Sequence, residues 1–197
     1  MPERKLERTF YQRGAEAVAR ELVGAILVHR TDGRDYRARI VETEAYVGTH
    51  DLACHASRGK TPRTEVMFRP GGCAYVYFIY GMYQMLNVVT SVEGDAQAVL
   101  IRAAEPLDGW EADLSGPGKL TRAMRITRAD NGIDLTGEKL FLLAGPGRRP
   151  KIEVSRRVGV DYAKEWKDAM LRFFDADSAA VSRGVRITGQ SRVAAIR

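Results

Sequence analysis

Residues 74–87, AYVYFIYGMYQMLN, constrain this chain more than any other stretch and hold four of its eight tyrosines. Tyr75, Tyr77 and Ile79 alternate with Val76, Phe78 and Tyr80, the period-two pattern of a strand whose successive side chains leave by opposite faces. Gly81 permits a reversal, and residues 84–90 supply the returning strand of a hairpin. A strand that serves only a core needs one apolar face, whereas this one carries aromatic groups on both. Tyr75 and Phe78, taken singly, read as buried hairpin residues, the phenol with a partner. Tyr80, beside the glycine, stands where a hairpin tip meets water and reads as a probe of something outside the protein.

The segments on either side build the rest of a fold around that hairpin. Residues 16–22 have helical spacing, with Ala15, Val18, Ala19 and Leu22 on one stripe and Gly24 placed to end it. Residues 25–29 read as a short buried strand, and Asp32-Gly33 as the turn that leads into a second strand over 36–47. Strict alternation there puts Ile40, Glu42, Glu44 and Tyr46 on one face, with Arg39, Val41, Thr43, Ala45 and Val47 on the other. Two carboxylates and a phenol then point the same way. Residues 48–72 are polar, rich in Gly and Pro and long for a connection, which predicts a functional loop carrying His50, Asp51 and His55.

After the hairpin, residues 98–104 (AVLIRAA) predict a further buried strand. Residues 115–126 predict a helix entered through Ser-Gly-Pro-Gly and apolar at Leu120, Ala123, Met124 and Ile126. Residues 140–143, 152–154 and 171–174 read as short strands among Gly/Pro loops. There is no internal repeat, low-complexity tract or linker. The expected fold is therefore α+β, a single domain over residues 1–197: a curved, mostly antiparallel sheet with flanking helices and a projecting β-hairpin.

Composition narrows the surroundings. At 197 residues and 45% apolar, the chain has enough for a sizeable core without staples. The two cysteines, Cys54 and Cys73, make no framework, which fits a reduced interior. Residues 1–14 are charged and lack the apolar stretch of a signal peptide, and no run reaches membrane-spanning length, so a soluble protein in the cytoplasm or associated with the nucleoid is expected. The 31 Lys and Arg against 25 Asp and Glu give a net charge of +6, an excess that favours polyanions. Arg58, Lys60, Arg63 and Arg69 flank the tyrosine strand, and Arg148, Arg149, Lys151, Arg156 and Arg157 crowd a second segment; such runs suit a face for a polyanion or an ordinary solvated face, the usual fate of charge runs.

Several blocks together carry a resemblance: RIVETEAY at 39–46, Thr61-Pro62-Arg63 with Met67-Phe68, YVYFIYGMYQMLN at 75–87, VLIRAAEP at 99–106, SGPGKL at 115–120 and RVGVDYAKEW at 157–166. In order and spacing, over about residues 9–174, the chain resembles the alkyladenine DNA glycosylases, also called 3-methyladenine or N-methylpurine DNA glycosylases. The resemblance implies hydrolysis of the N-glycosidic bond of a damaged purine, turned out of duplex DNA because the bond is unreachable inside it. No cofactor is expected, nor a metal, because histidines hydrogen-bond or stack more often than they ligate and no tight pair such as C-x-x-C supports zinc; a monomer is expected of a protein that tracks DNA.

What the resemblance implies for single residues is specific. Glu44 matches the catalytic carboxylate that activates water beside a sugar developing oxocarbenium character, and Arg102 the partner that orients it. Tyr46, His55 and Tyr77 match the slot that stacks on the flipped base, with Met67 and Val160 at its wall. Bases alkylated at N3 or N7 are cationic, and an aromatic slot favours them by about 0.5–2 kcal/mol per well-placed ring. Asn87 matches a residue held to exclude guanine through its 2-amino group. Tyr80 matches the intercalating wedge, with Arg63, Met82, Tyr83 and Lys119 as further DNA contacts. The chain departs from the family pattern at Glu65, Asp161-Tyr162 and Met170.

The residues themselves leave two other classes open. Tyrosines that only stack on bases would make a binding module with a preference for single strands. Glu42, Glu44, Asp51 and His55, with His50 and Cys54 near, would suit a metal-dependent nuclease. No lysine stands among the residues matched to the pocket, which predicts a monofunctional enzyme, without strand cleavage through a Schiff base.

Overall fold

A computed structural model describes residues 3–79, 81–145 and 150–182 of the chain. In chain order the elements are helices α1 (Arg8–Tyr11) and α2 (Ala15–Leu22), strands β1 (Ile26–Thr31), β2 (Arg34–Tyr46), β3 (Ala74–Ile79), β4 (Tyr83–Thr90) and β5 (Gln97–Pro106), helix α3 (Pro117–Ala123), and strands β6 (Leu140–Leu143), β7 (Ile152–Ser155) and β8 (Arg172–Asp175). The expected elements are present, and α1 adds a single turn that no periodicity announced. The helix expected over 115–126 is shorter because the chain turns out of it at Arg125, whose φ is 58°.

β2 is the spine of one antiparallel eight-stranded sheet. One edge of it pairs with β5 from Ala38 to Tyr46; the other pairs first with β1 and then, from Glu42 to Glu44, with β8. The β1–β2 hairpin closes through Asp32 and Gly33, both at positive φ (52° and 73°), the geometry that an Asp-Gly pair favours. β3 and β4 form the projecting hairpin, in register from Ala74↔Val88 to Ile79↔Tyr83, and β4 joins it to β5.

The strict alternation expected of β2 fails at one place. The ladder to β5 runs Ile40↔Ala104, Glu42↔Ala103, Thr43↔Ile101, so Val41 on one strand and Arg102 on the other fall out of the pairing. Such an irregularity exchanges the faces of the strands that carry it. Before it, Ala38 and Ile40 enter the main core; beyond it Ala45 does, and Thr43 Oγ1 donates to the Ala19 carbonyl of α2 at 2.8 Å. Ile40 therefore does not share a face with Glu42, Glu44 and Tyr46. The slip gives the spine one apolar face along its whole length while delivering two carboxylates to the opposite side.

Beneath that apolar face, α2 contributes Val18, Ala19 and Leu22, and α3 contributes Leu120, to a core with Val76, Leu86, Val88, Val99 and Ile101. Complete burial of each large aliphatic side chain there is worth about 1.5–3 kcal/mol. The other face of β2–β5 is left to the loops. Among the described residues, no helix is long and apolar enough to cross a membrane.

Candidate active site

A cavity of about 240 Å³ lies between that second sheet face and the loops that cross it. Ligand pockets for drug-sized molecules run to about 300–1,000 Å³, so this one suits a single planar base rather than a run of nucleotides. Alternation along the strands supplies its floor: Tyr46 from β2, Leu100 and Arg102 from β5, Met85 and Asn87 from β4, and Tyr75, Tyr77 and Ile79 from β3. The loop over residues 48–72 brings His55 and Met67 on two single 3₁₀ turns, and residues 158–162 close the opposite side with Val160 and Tyr162. The residues picked out by sequence for a base pocket, Tyr46, His55, Met67, Tyr77, Asn87 and Val160, all line this one cavity.

Glu44 sits directly behind the wall. Its carboxylate is fully buried, and its three partners among the described residues all line the cavity: Tyr46 Oη donates to Oε2 at 2.9 Å, Arg102 Nη1 to the same oxygen at 3.4 Å, and the Val158 backbone N–H to Oε1 at 2.7 Å. Burial, reinforced by the charge of Glu44, pushes the Tyr46 phenol well above its usual pKa, so it stays a neutral donor. Burial opposes the charge of Arg102, yet Glu44 and Glu42 hold its pKa above the ordinary value. The arrangement is a fixed anion with a fixed cation at the edge of a polarisable slot.

Glu42, the competitor for the same role, is spent elsewhere. Arg172 Nε donates to its Oε1 at 2.6 Å, Arg102 Nε at 3.0 Å and the Ser182 hydroxyl at 2.9 Å, while the Ser182 N–H takes Oε2 at 2.6 Å. It does not line the cavity.

The slot itself is aromatic. The His55 and Tyr77 rings meet at 4.5 Å and 70°, Tyr75 and Tyr77 at 5.4 Å, and His55 Nδ1 lies 3.1 Å from Tyr75 Oη. Burial, with help from Arg63 and Arg58, pulls His55 down to about 4, so the ring is neutral at neutral pH. Tyr75 is buried with a partner for its phenol, as expected of it singly, but it also lines the cavity. The Asn87 amide donates to the carbonyls of Tyr75 (3.1 Å) and Met85 (3.4 Å), which fixes its orientation.

The cluster that suggested a metal-dependent nuclease is dispersed. His50 packs edge-on to Trp166 at 5.3 Å, Cys54 turns its thiol toward the Ala96 carbonyl, and His55 joins the slot. Asp51 is fully buried against Arg157, which donates Nη2 to Oδ1 at 2.9 Å and Nη1 to Oδ2 at 2.5 Å. Among the described residues, no three His, Cys, Asp or Glu side chains are grouped to hold a metal. Arg157 is therefore not part of a solvated basic face: its guanidinium lies 4.8 Å from the Tyr46 ring and is held in the interior by Asp51. Arg156 is exposed and paired with Asp168, and Arg148 and Arg149 lie outside the described residues.

The hairpin beyond the cavity ends in apolar groups that face water. Phe78, expected in the interior, is exposed, as are Met82 and Tyr83, with Met82 at 65%. Tyr80 lies outside the described residues; Gly81 beside it has φ 66° and open space around it, as a tip requires. Behind the tip, Gly118 of α3 touches the Tyr83 ring so closely that an added Cβ would stand 2.6 Å from it. Lys119 is exposed and paired with Asp113 at 2.7 Å, and the exposed Arg63 guanidinium lies 5.4 Å from the Tyr77 ring at the cavity mouth. Of the departures from the family pattern, Glu65, Asp161 and Met170 are on the surface. Tyr162, 68% exposed, lines the mouth and donates to the Ala53 carbonyl at 3.3 Å. Leu100 and Val158 were not singled out by sequence: Leu100 reaches the cavity by the same alternation of β5 that presents Arg102, and Val158 only because a distant loop crosses the sheet.

An aromatic cavity of this size beside a buried carboxylate, on the face of a curled antiparallel sheet, has the build of a DNA glycosylase, a hydrolase acting on N-glycosyl bonds. Comparison with known proteins agrees. The family model for methylpurine-DNA glycosylase (MPG) matches residues 9–179. A Legionella pneumophila relative, provisionally named 3-methyladenine DNA glycosylase, is 50% identical over 182 residues, covering 91% of this chain and 99% of its own. Relatives of the same provisional name in Anaeromyxobacter sp. and Myxococcus xanthus are each 51% identical, covering 91% of this chain and 93% and 94% of theirs. The chain belongs to the methylpurine-DNA glycosylase family.

Proposed function

We propose that this protein is a monofunctional glycosylase of base excision repair, which turns an alkylated or deaminated purine out of duplex DNA and hydrolyses its N-glycosidic bond with water activated by Glu44. The observation that carries the reading is the Glu44 carboxylate, wholly buried and, among the described residues, bound by groups that all line the aromatic cavity. With a purine between Tyr46 on one side and His55 and Tyr77 on the other, the sugar stands at the mouth and its C1′ near the carboxylate wall. As the C1′–N bond lengthens, the electron pair leaves with the base and positive charge grows on the sugar, which Glu44 offsets. Water adds to C1′, Glu44 takes its proton, and the products are the free base and an abasic site.

Arg102 orients the carboxylate. The neutral His55 spares a cationic base a second positive charge in the slot, so selection for N3- or N7-alkylated purines rests on cation–π attraction and on the better leaving group. Asn87 borders the edge of the base and discriminates by its fixed amide. Tyr80, next to Gly81 in the chain, is the wedge that fills the vacated stack, with Met82 and Tyr83 as further contacts, while Arg63 and Lys119 contact phosphate. Among the described residues lining the cavity there is no lysine, which supports hydrolysis without a Schiff base and hence no strand cleavage. The protein acts as a monomer on double-stranded DNA, without cofactor or metal.

Duplexes carrying one defined lesion each, incubated with the protein with and without chelator, test this reading. Free base should appear with both, leaving an intact strand with an alkali-labile site. Binding without base release, or backbone cleavage that chelator stops, would overturn it.

A further inference from the structure

The network behind Glu44 extends past the family match, which ends at residue 179. Ser182, buried at the end of the described chain, has every polar group inside it. Its N–H and hydroxyl donate to the two oxygens of Glu42 at 2.6 and 2.9 Å, its hydroxyl oxygen accepts from Arg102 Nη2 at 3.4 Å, and its carbonyl accepts from Arg172 Nη2 at 3.2 Å. Glu42, Glu44, Arg102 and Arg172 otherwise form a neutral set of buried charges, two of each sign.

Arg102 is divided between the two carboxylates, with Nε on Glu42 at 3.0 Å and Nη1 on Glu44 at 3.4 Å. A guanidinium prefers to close two parallel bonds on a single carboxylate. Nε and Nη2 are the pair that would close on Glu42, and Ser182 opposes this twice: its N–H occupies Glu42 Oε2, and its hydroxyl engages Nη2. With that fork kept open, Nη1 remains turned to Glu44.

We infer that Ser182 is a positioning residue for the reaction, which keeps Arg102 against Glu44 by preventing a bidentate Arg102–Glu42 pair. The inference rests on the glycosylase reading above. It assigns to a residue outside the family match a part in the geometry of the carboxylate.

Single-turnover base release by the full-length Ser182→Ala and Ser182→Thr variants, beside wild type, tests it. In Ser182→Ala, Nη2 is released and competes for Glu42 Oε2, so the rate constant at saturation should fall about 10-fold, the scale on which small misplacements near a reacting centre are felt. Affinity for a duplex with an abasic site should stay within about twofold of wild type, and Ser182→Thr, which keeps the hydroxyl, should restore the rate. Thermal melting of each variant checks that it is folded. A Ser182→Ala protein that melts lower but releases base at the wild-type rate would show a tether only and overturn the inference alone. A wild-type protein that releases no base would overturn the glycosylase reading, and this inference with it.

Discussion

The carboxylates of Glu42 and Glu44 leave the same face of β2, yet Glu42 is bound by Arg172, Arg102 and Ser182, and Glu44 by groups that all line the cavity. The first carboxylate is thus enclosed by ion pairs away from the cavity, and the second stands against its wall. Glu42→Gln should therefore cost folding stability, because it removes one charge of a fully buried pair and turns an amide N–H toward donors. The expected loss is about 3–5 kcal/mol, read as a lower midpoint in urea unfolding. An unchanged midpoint would show that the Glu42 network adds no stability.

The Asp51–Arg157 pair, both side chains at zero exposure, ties the start of the 48–72 loop to the segment that presents Val158 to Glu44. Arg157 also donates to the Ala45 carbonyl at 3.0 Å and the Trp166 carbonyl at 3.2 Å. Asp51→Asn leaves the guanidinium buried without its counter-charge, and should destabilise the protein by about 3–5 kcal/mol. Hydrogen exchange should localise the loosening to residues 157–166, and exchange unchanged there would contradict the pair's bracing role.

His55 makes the stability depend on pH. Its folded pKa of about 4 lies below the unfolded value of 6.5, so the unfolded chain binds the extra proton between the two. The contribution of the neutral ring is complete above about 6.5 and is lost as pH falls toward about 4. In urea unfolding across that window, wild type should lose stability relative to His55→Gln as the pH falls. Curves that stay parallel would contradict the neutral assignment.

Gly118 tests how the hairpin is set. The Cβ added in Gly118→Ala meets Tyr83 Cδ1 at 2.6 Å and Cγ at 3.0 Å, near the root of the side chain, where little can give way. Overpacking of this kind costs about 1–3 kcal/mol, and it moves the strand that carries Met82 and the tip. Weaker binding to duplex DNA, with base release from a single-stranded substrate less affected, is the expected result. Wild-type affinity would separate the hairpin from DNA contact.

The strands, the Asp32-Gly33 turn and the tyrosine hairpin were legible in the sequence because their signals are local: alternation, and a glycine where φ must be positive. The slip at Val41 and Arg102 was not, since nothing in 36–47 or 98–104 marks which residue drops out of a ladder. Reading Ile40 onto the face of Glu44 followed from that. The choice between Glu42 and Glu44 needed the family resemblance, because the residues that occupy Glu42, Arg172 and Ser182, lie 130 and 140 positions away. Arg157 shows the same limit: a cation in a basic run looks solvated until its partner Asp51, 106 residues distant, is brought to it.

The most direct test is Glu44→Gln, which keeps the side chain's shape and removes the charge. On a duplex with one 3-methyladenine or hypoxanthine, single-turnover base release should fall by about 100-fold or more, the scale seen when a preorganised charge is taken from a reacting centre. Affinity for an abasic-site duplex should remain near that of wild type. Base release at an undiminished rate in a folded Glu44→Gln protein would contradict the role given to this carboxylate.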